Sequence, residues 1–146
     1  MLQIGDYVDF NLPGTDGNDH KTEDYKGKVI VLYTYPRDNT PGCTVEAKRF
    51  RDLHEEIIKQ NAIVIGINKN SMKSHHNFID KHCLPFNLLV DKDLELLSVL
   101  GATKDETKVA RKTYIISEKG DLENVFNTVK AKTHPNEVLE YLKNRS

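Results

Sequence analysis

Nothing in the chain reaches the ~18–20 consecutive apolar residues that a helix needs to cross a bilayer. The start, Met1-Leu2-Gln3-Ile4-Gly5-Asp6, has neither the basic segment nor the apolar run of a secretory leader. The expectation is therefore a cytoplasmic protein with no membrane partner. Cysteine is scarce: Cys43 and Cys83 are the two present, far apart in sequence. That excludes a disulfide scaffold, and in a reducing compartment leaves two thiols that are reactive or inert rather than structural. An excess of one charge is also missing, with 21 Lys and Arg against 22 Asp and Glu, a net charge of -1, and no long block of either sign. This removes the electrostatic case for nucleic acid as a partner. Repeats, low-complexity segments and linkers are absent as well. What remains, 146 residues with 38% hydrophobic and 29% charged side chains, suits one domain over residues 1–146 that buries its core without disulfides or structural metal.

Turn residues and apolar periodicity divide the chain. Tyr7 to Leu12 alternates around Pro13 and Gly14, and Thr15-Asp16-Gly17-Asn18 is a turn, so an N-terminal hairpin is expected. Val29 to Tyr35 is apolar on both faces, as a central strand covered on both sides would be. Val45, Phe50, Leu53, Ile57 and Ile58 recur at helical spacing through Gln60, and Ala62 to Ile67 reads as a second buried strand. A strand-helix-strand unit of this kind implies parallel strands. A helix capped by Ser71 or Ser74 runs to about Lys81, and Asn87 to Val90 is a short strand or an extended connection. Asp93 to Leu100 reads as a helix stopped by Gly101, and Thr103 to Lys108 as a polar loop. Lys112 to Ile116 and Leu122 to Phe126 form a hairpin around Gly120, and Pro135 opens a closing helix. The fold class is α/β, a mixed central sheet flanked by helices, with the N-terminal β-hairpin as an extension.

The stretch from Tyr33 to Glu46 carries the chemistry. It places Cys43 in the first turn of a helix, where backbone N–H groups lack intrahelical partners and the dipole is positive. Such a site favours the thiolate, the reactive form of cysteine. A lone cysteine is ordinarily a small buried hydrophobe, but this one follows Pro41-Gly42 in a polar loop, and Gly42 leaves the backbone N–H groups uncrowded. Thr40, three residues earlier, stands where a disulfide oxidoreductase would carry its other cysteine. Its hydroxyl serves either as a helix N-cap or as a partner to the thiol and an incoming oxygen. Glu46 either caps the helix or holds a cation near the site, and on local sequence capping is favoured. A thiolate attacking a peroxide O–O bond also needs a fixed cation, and arginine suits that task. Arg37, Arg49, Arg51, Arg111 and Arg145 are the five available, and composition does not choose among them.

Pro36-Arg37-Asp38-Asn39-Thr40-Pro41-Gly42-Cys43 resembles the Pro-x-x-x-Thr-x-x-Cys signature of the peroxiredoxins. With Tyr35 before it and Thr44-x-Glu46-Ala47 after it, the segment is similar to the bacterioferritin comigratory protein, or PrxQ, subfamily. Gly5-Asp6, Gly66-Ile67, Leu84-Pro85-Phe86 and Arg111-x-Thr113-Tyr114 extend the resemblance along the chain. It implies a thioredoxin-like fold, with Cys43 as peroxidatic cysteine, Thr40 and Arg111 as its activating partners, and Pro36 shielding the pocket. It further implies an antioxidant enzyme without haem, flavin or metal, a monomer that reduces hydroperoxides and is recycled by thioredoxin or another thiol.

Recycling is where the chain departs from the pattern. Many members carry a resolving cysteine five residues after the peroxidatic one, and here that position is Lys48. Others resolve from the next helix with a cysteine nearer Ile79, about one turn before Cys83. Cys83 is thus left between pairing with Cys43 and remaining a buried free thiol. His75, His76 and His82 lie on that same helix, where a solvated face is expected rather than a metal site. A redox sensor signalling through oxidised Cys43 is the alternative from another class of function.

Overall fold

Six consecutive residues without a charge, Val29 to Thr34, form a strand in which every side chain is buried. The computed structural model describes residues 1–145. Ahead of that strand, β1 (Asn11–Pro13) and β2 (Asp19–Lys21) make the N-terminal hairpin, closing over Gly14 to Asn18. From β3 (Val29–Thr34) the chain passes through α1 (Pro41–Asp52) and α2 (His54–Ile58) to β4 (Ala62–Asn68). It continues through α3 (Met72–His82), β5 (Asn87–Val90) and α4 (Glu95–Leu100). A small hairpin of β6 (Thr103–Lys104) and β7 (Lys108–Val109) follows, then β8 (Lys112–Ile116), β9 (Leu122–Phe126) and α5 (His134–Lys143).

The main sheet runs in the order β5-β4-β3-β8-β9. β3 pairs parallel with β4 and antiparallel with β8, so the sheet is mixed and β3 is its middle strand. Period-two alternation sends Val29, Val31 and Tyr33 to one face and Ile30 and Leu32 to the other. On the first face they meet Cys43, Ala47, Phe50, Phe78 and Val138, from α1, α3 and α5. On the second they meet Val8, Phe10, Leu96, Leu97 and Leu100, from the N-terminal segment and α4. Two apolar layers with one sheet between them explain why the strand shows no polar break.

Several boundaries differ from those expected. The helix after Cys43 is broken at Leu53, whose backbone leaves helical geometry at φ -97°, ψ 3° before α2 begins. The buried face is Cys43, Glu46, Ala47 and Phe50, while Val45 and Ile58 are exposed. Ser71, not Ser74, caps α3, accepting from the Ser74 N–H at 3.1 Å. Asn87 to Val90 is a true strand, paired parallel with β4. Thr103 to Lys108 is not a plain loop: Thr103 pairs with Val109 across a tip in which Asp105 and Glu106 take positive φ.

Gly66 on β4 packs so closely that a Cβ there would stand 2.7 Å from the Leu88 side chain and 3.0 Å from the Tyr33 ring. Gly66→Ala is expected to destabilise by about 1–3 kcal/mol through overpacking. Urea unfolding checks this, as a lower midpoint at unchanged slope.

Candidate active site

Everything at the site hangs on the exit from β3. Tyr35 to Thr40 turns the chain, with Asn39 in the left-handed region at φ 62°, a conformation its short polar side chain tolerates. Thr40 occupies the N-cap position, Pro41 opens α1, and Cys43 is its third helical residue. Pro41 has no N–H to leave unpaired, while those of Gly42 and Cys43 point out of the helix start.

Cys43 is 1% exposed, at the edge of the first apolar layer. Arg111, the residue before β8, reaches its sulfur. Nη2 donates to Sγ at 3.2 Å, and Nη1 donates to Glu46 Oε1 at 2.7 Å. Because β8 pairs with β3 and α1 follows β3, the sheet itself brings Arg111 against the helix start. Gly42 leaves room for the approach, since a Cβ there would lie 3.1 Å from Nη2.

Glu46 is fully buried, and burial pushes its carboxyl up to about 7, with Arg111 offsetting only part of the cost. Burial alone would also loosen the Arg111 proton. The charges facing it, at Cys43 and Glu46, outweigh that and hold the guanidinium protonated even more firmly than usual. The result is a cation fixed by one acid and aimed at one sulfur, beside a helix start.

The AhpC/TSA family model matches residues 4–125. Peroxiredoxin Bcp of Bacillus subtilis is 41% identical over 153 aligned positions, covering 99% of this chain and 98% of that protein. The chain belongs to the peroxiredoxins. The structure of a Xylella fastidiosa PrxQ variant superposes with a TM-score of 0.92 at 31% identity, covering 98% of this chain and 96% of that one. A Xanthomonas campestris bacterioferritin comigratory protein, studied for its alkyl peroxide reduction activity, gives 0.88 at 30% identity over the same shares. The fold is thioredoxin-like, the subfamily is PrxQ, and the chain is a thiol-dependent peroxidase whose substrates are a peroxide and a thiol reductant. The sensor reading is not favoured.

Of the residues singled out in this peroxiredoxin's sequence, Cys43, Gly42, Glu46 and Arg111 meet in one cluster. Glu46 is not a helix cap: its carboxylate faces inward to Arg111, the second of the two roles left open for it. Thr40 holds the N-cap position without a side-chain cap, its hydroxyl donating to the Arg37 carbonyl at 3.0 Å. Pro36 is exposed and lines an open groove of about 580 Å³ with Arg37, Lys69, Lys104 and Lys108, among whose lining residues Cys43 does not appear. Cys83 is an exposed free thiol, not a buried one, and sits at the C-cap of α3 in the left-handed region at φ 52°.

His75, His76 and His82 do not share a solvated face. His76 is exposed and His82 half-buried, but His75 is fully buried and bonded to Asp38. That contact is the part of the site that sequence reading missed. An Asp in a turn and a His on a polar helix give no local sign that they meet.

The Glu46 shift sets a pH dependence. Its folded value lies above its ordinary one, so the folded chain holds the proton more tightly, and the contribution to stability falls as pH rises from about 4.5 to about 7. The full span is on the order of 3 kcal/mol. Glu46→Gln should remove this component, so that wild type minus variant stability declines across that window. A flat difference in urea unfolding would refute the assignment.

Proposed function

We propose that Cys43 is the peroxidatic nucleophile of this peroxidase, acting on hydrogen peroxide and organic hydroperoxides. The single observation that carries the reading is the 3.2 Å donor contact from Arg111 to its sulfur. The thiolate attacks the terminal peroxide oxygen. An S–O bond forms, the O–O bond breaks, and the leaving oxygen takes a proton and departs as water or an alcohol. Cys43 is left as a sulfenic acid.

Arg111 stabilises charge as it moves from sulfur to the leaving oxygen, and Glu46 keeps the guanidinium in place. Gly42 admits that guanidinium, and Thr40 offers hydroxyl lone pairs to a peroxide O–H. Pro36 stiffens the loop that leads to Cys43. No cofactor is required, because thiolate and peroxide carry the electrons between them.

A thiol then condenses with the sulfenic acid, releasing water and forming a disulfide. Cys83 is the internal candidate and thioredoxin, or another small thiol, the external one. Cys43 is buried while Cys83 is exposed, so pairing them requires the first turn of α1 to open. The activity resides on one domain over residues 1–146, in the cytoplasm and as a monomer.

One equivalent of peroxide, followed by mass analysis without reductant, tests the cycle. A loss of two hydrogens supports the Cys43–Cys83 disulfide; oxygen added to Cys43 beside an unchanged Cys83 assigns resolution to an outside thiol. Sustained peroxide consumption with thioredoxin and its reductase is expected, and Cys43→Ser should abolish it. Turnover retained in that variant would overturn the nucleophile.

A further inference from the structure

The loop presenting Cys43 is held by a buried pairing of an acid and a histidine that the peroxide chemistry does not use. Asp38 lies between Pro36 and Thr40. Its side chain is 1% exposed and that of His75, on α3, is 0% exposed. Oδ2 of Asp38 accepts from Ser74 Oγ and from His75 Nδ1, both at 2.7 Å. Oδ1 accepts from the Tyr35 hydroxyl at 2.6 Å and from Asn68 Nδ2 at 3.4 Å. The Asp38 backbone N–H donates to Asn70 Oδ1 at 2.8 Å.

The second ring nitrogen of His75 fixes the orientation of the ring. Nε2 lies 2.8 Å from the carbonyl oxygen of Leu89 on β5. A carbonyl only accepts, so Nε2 carries a hydrogen. Nδ1 faces a carboxylate. Burial alone would raise Asp38, but the bond and charge of His75, with the Tyr35 and Ser74 hydroxyls, hold it below the usual carboxylate range. One hydrogen therefore lies between Nδ1 and Oδ2, and the two side chains are joined by a short, buried hydrogen bond.

The loop is built to transmit this clamp. Pro36 and Pro41 fix φ on either side of Asp38, so little slack separates the clamp from Cys43. Asp38 is tied at once to the residue following β3, to the end of β4 and to the first turns of α3, while His75 is tied to β5. Such a pair specifies one orientation, which an apolar contact of the same size would not.

We propose that Asp38 and His75 are positioning residues for the peroxidase reaction, clamping the loop so that the Cys43 sulfur stays under Arg111. This rests on Cys43 being the reactive thiol. The test uses a Cys83→Ser background, in which Cys43 is the one cysteine, and compares two second-order rates in the reduced chain. One is with hydrogen peroxide and the other with a bulky maleimide, which must wait for the loop to open.

Asp38→Asn and His75→Gln are each expected to slow the peroxide reaction at least about tenfold, as misplacement of a reacting group does. Each should speed the maleimide reaction by about fivefold or more, because opening becomes easier. The double variant should differ from either single by less than about twofold, since the two act as a unit. Both rates unchanged, or both slowed in parallel, would overturn the proposal, because a parallel loss reports altered sulfur chemistry rather than position. A second measurement needs no variant: nitrogen-15 spectra of His75 in the reduced wild-type chain should show a hydrogen on Nε2 and Nδ1 engaged in a hydrogen bond, and an Nε2 without its hydrogen would refute this arrangement. Neither arm depends on turnover, so a failure of the peroxidase assignment, read from Cys43→Ser, stays distinct from a failure of the clamp.

Discussion

The site depends on one guanidinium shared between a sulfur and a buried acid. Arg111 donates to Cys43 with one nitrogen and to Glu46 with the other, and neither contact is local, since Glu46 and Arg111 lie 65 residues apart. The sheet supplies the proximity. β3 hands the chain to α1, β8 pairs antiparallel with β3, and the helix start and the end of that neighbouring strand come together at the same edge. A planar fork suits this arrangement because it reaches two acceptors at once in fixed directions.

Holding that fork carries a stability penalty. Glu46 is fully buried, its Oε2 has no hydrogen-bond partner among the described residues, and neither does the nearby Tyr33 hydroxyl. Each such atom costs about 1–3 kcal/mol. The apolar layer offsets it: Tyr33 stacks against Tyr35 at 5.3 Å and meets the tilted ring of Phe50 at 4.8 Å, and Phe50 meets the His134 ring edge-on. Polar groups that a purely structural core would discard are retained here beside the Cys43 thiol, as expected where position matters more than stability.

How much of this the sequence discloses follows from the range of each interaction. The uncharged run of β3 and the paired apolar segments of β8 and β9 declare themselves by composition and period, so the mixed sheet is legible. The loop from Pro36 to Cys43 is legible too, because proline, glycine and a lone cysteine at a helix start carry local physical meaning. Glu46 is legible only as a helix-start acid. Its burial depends on Arg111, which composition cannot distinguish from four other arginines and which only the family resemblance selects. His75 reads as part of a polar helix because its acceptors come from the β3 exit loop and from β5. Ile58 fits the helical period but misses the buried face, since the break at Leu53 resets it, and Val45 lies off the stripe that Cys43, Glu46, Ala47 and Phe50 bury on α1.

Replacing Arg111 with lysine keeps a positive charge near the sulfur and removes the fork that joins it to Glu46. The single-turnover rate of the reduced chain with hydrogen peroxide, measured in wild type and in Arg111→Lys under the same conditions, is therefore the most direct test of the account. A fall of roughly a hundredfold is expected when an oriented donor is lost from the reacting centre. A rate within about twofold of wild type would show that charge alone suffices, and would contradict the shared guanidinium as the basis of the site.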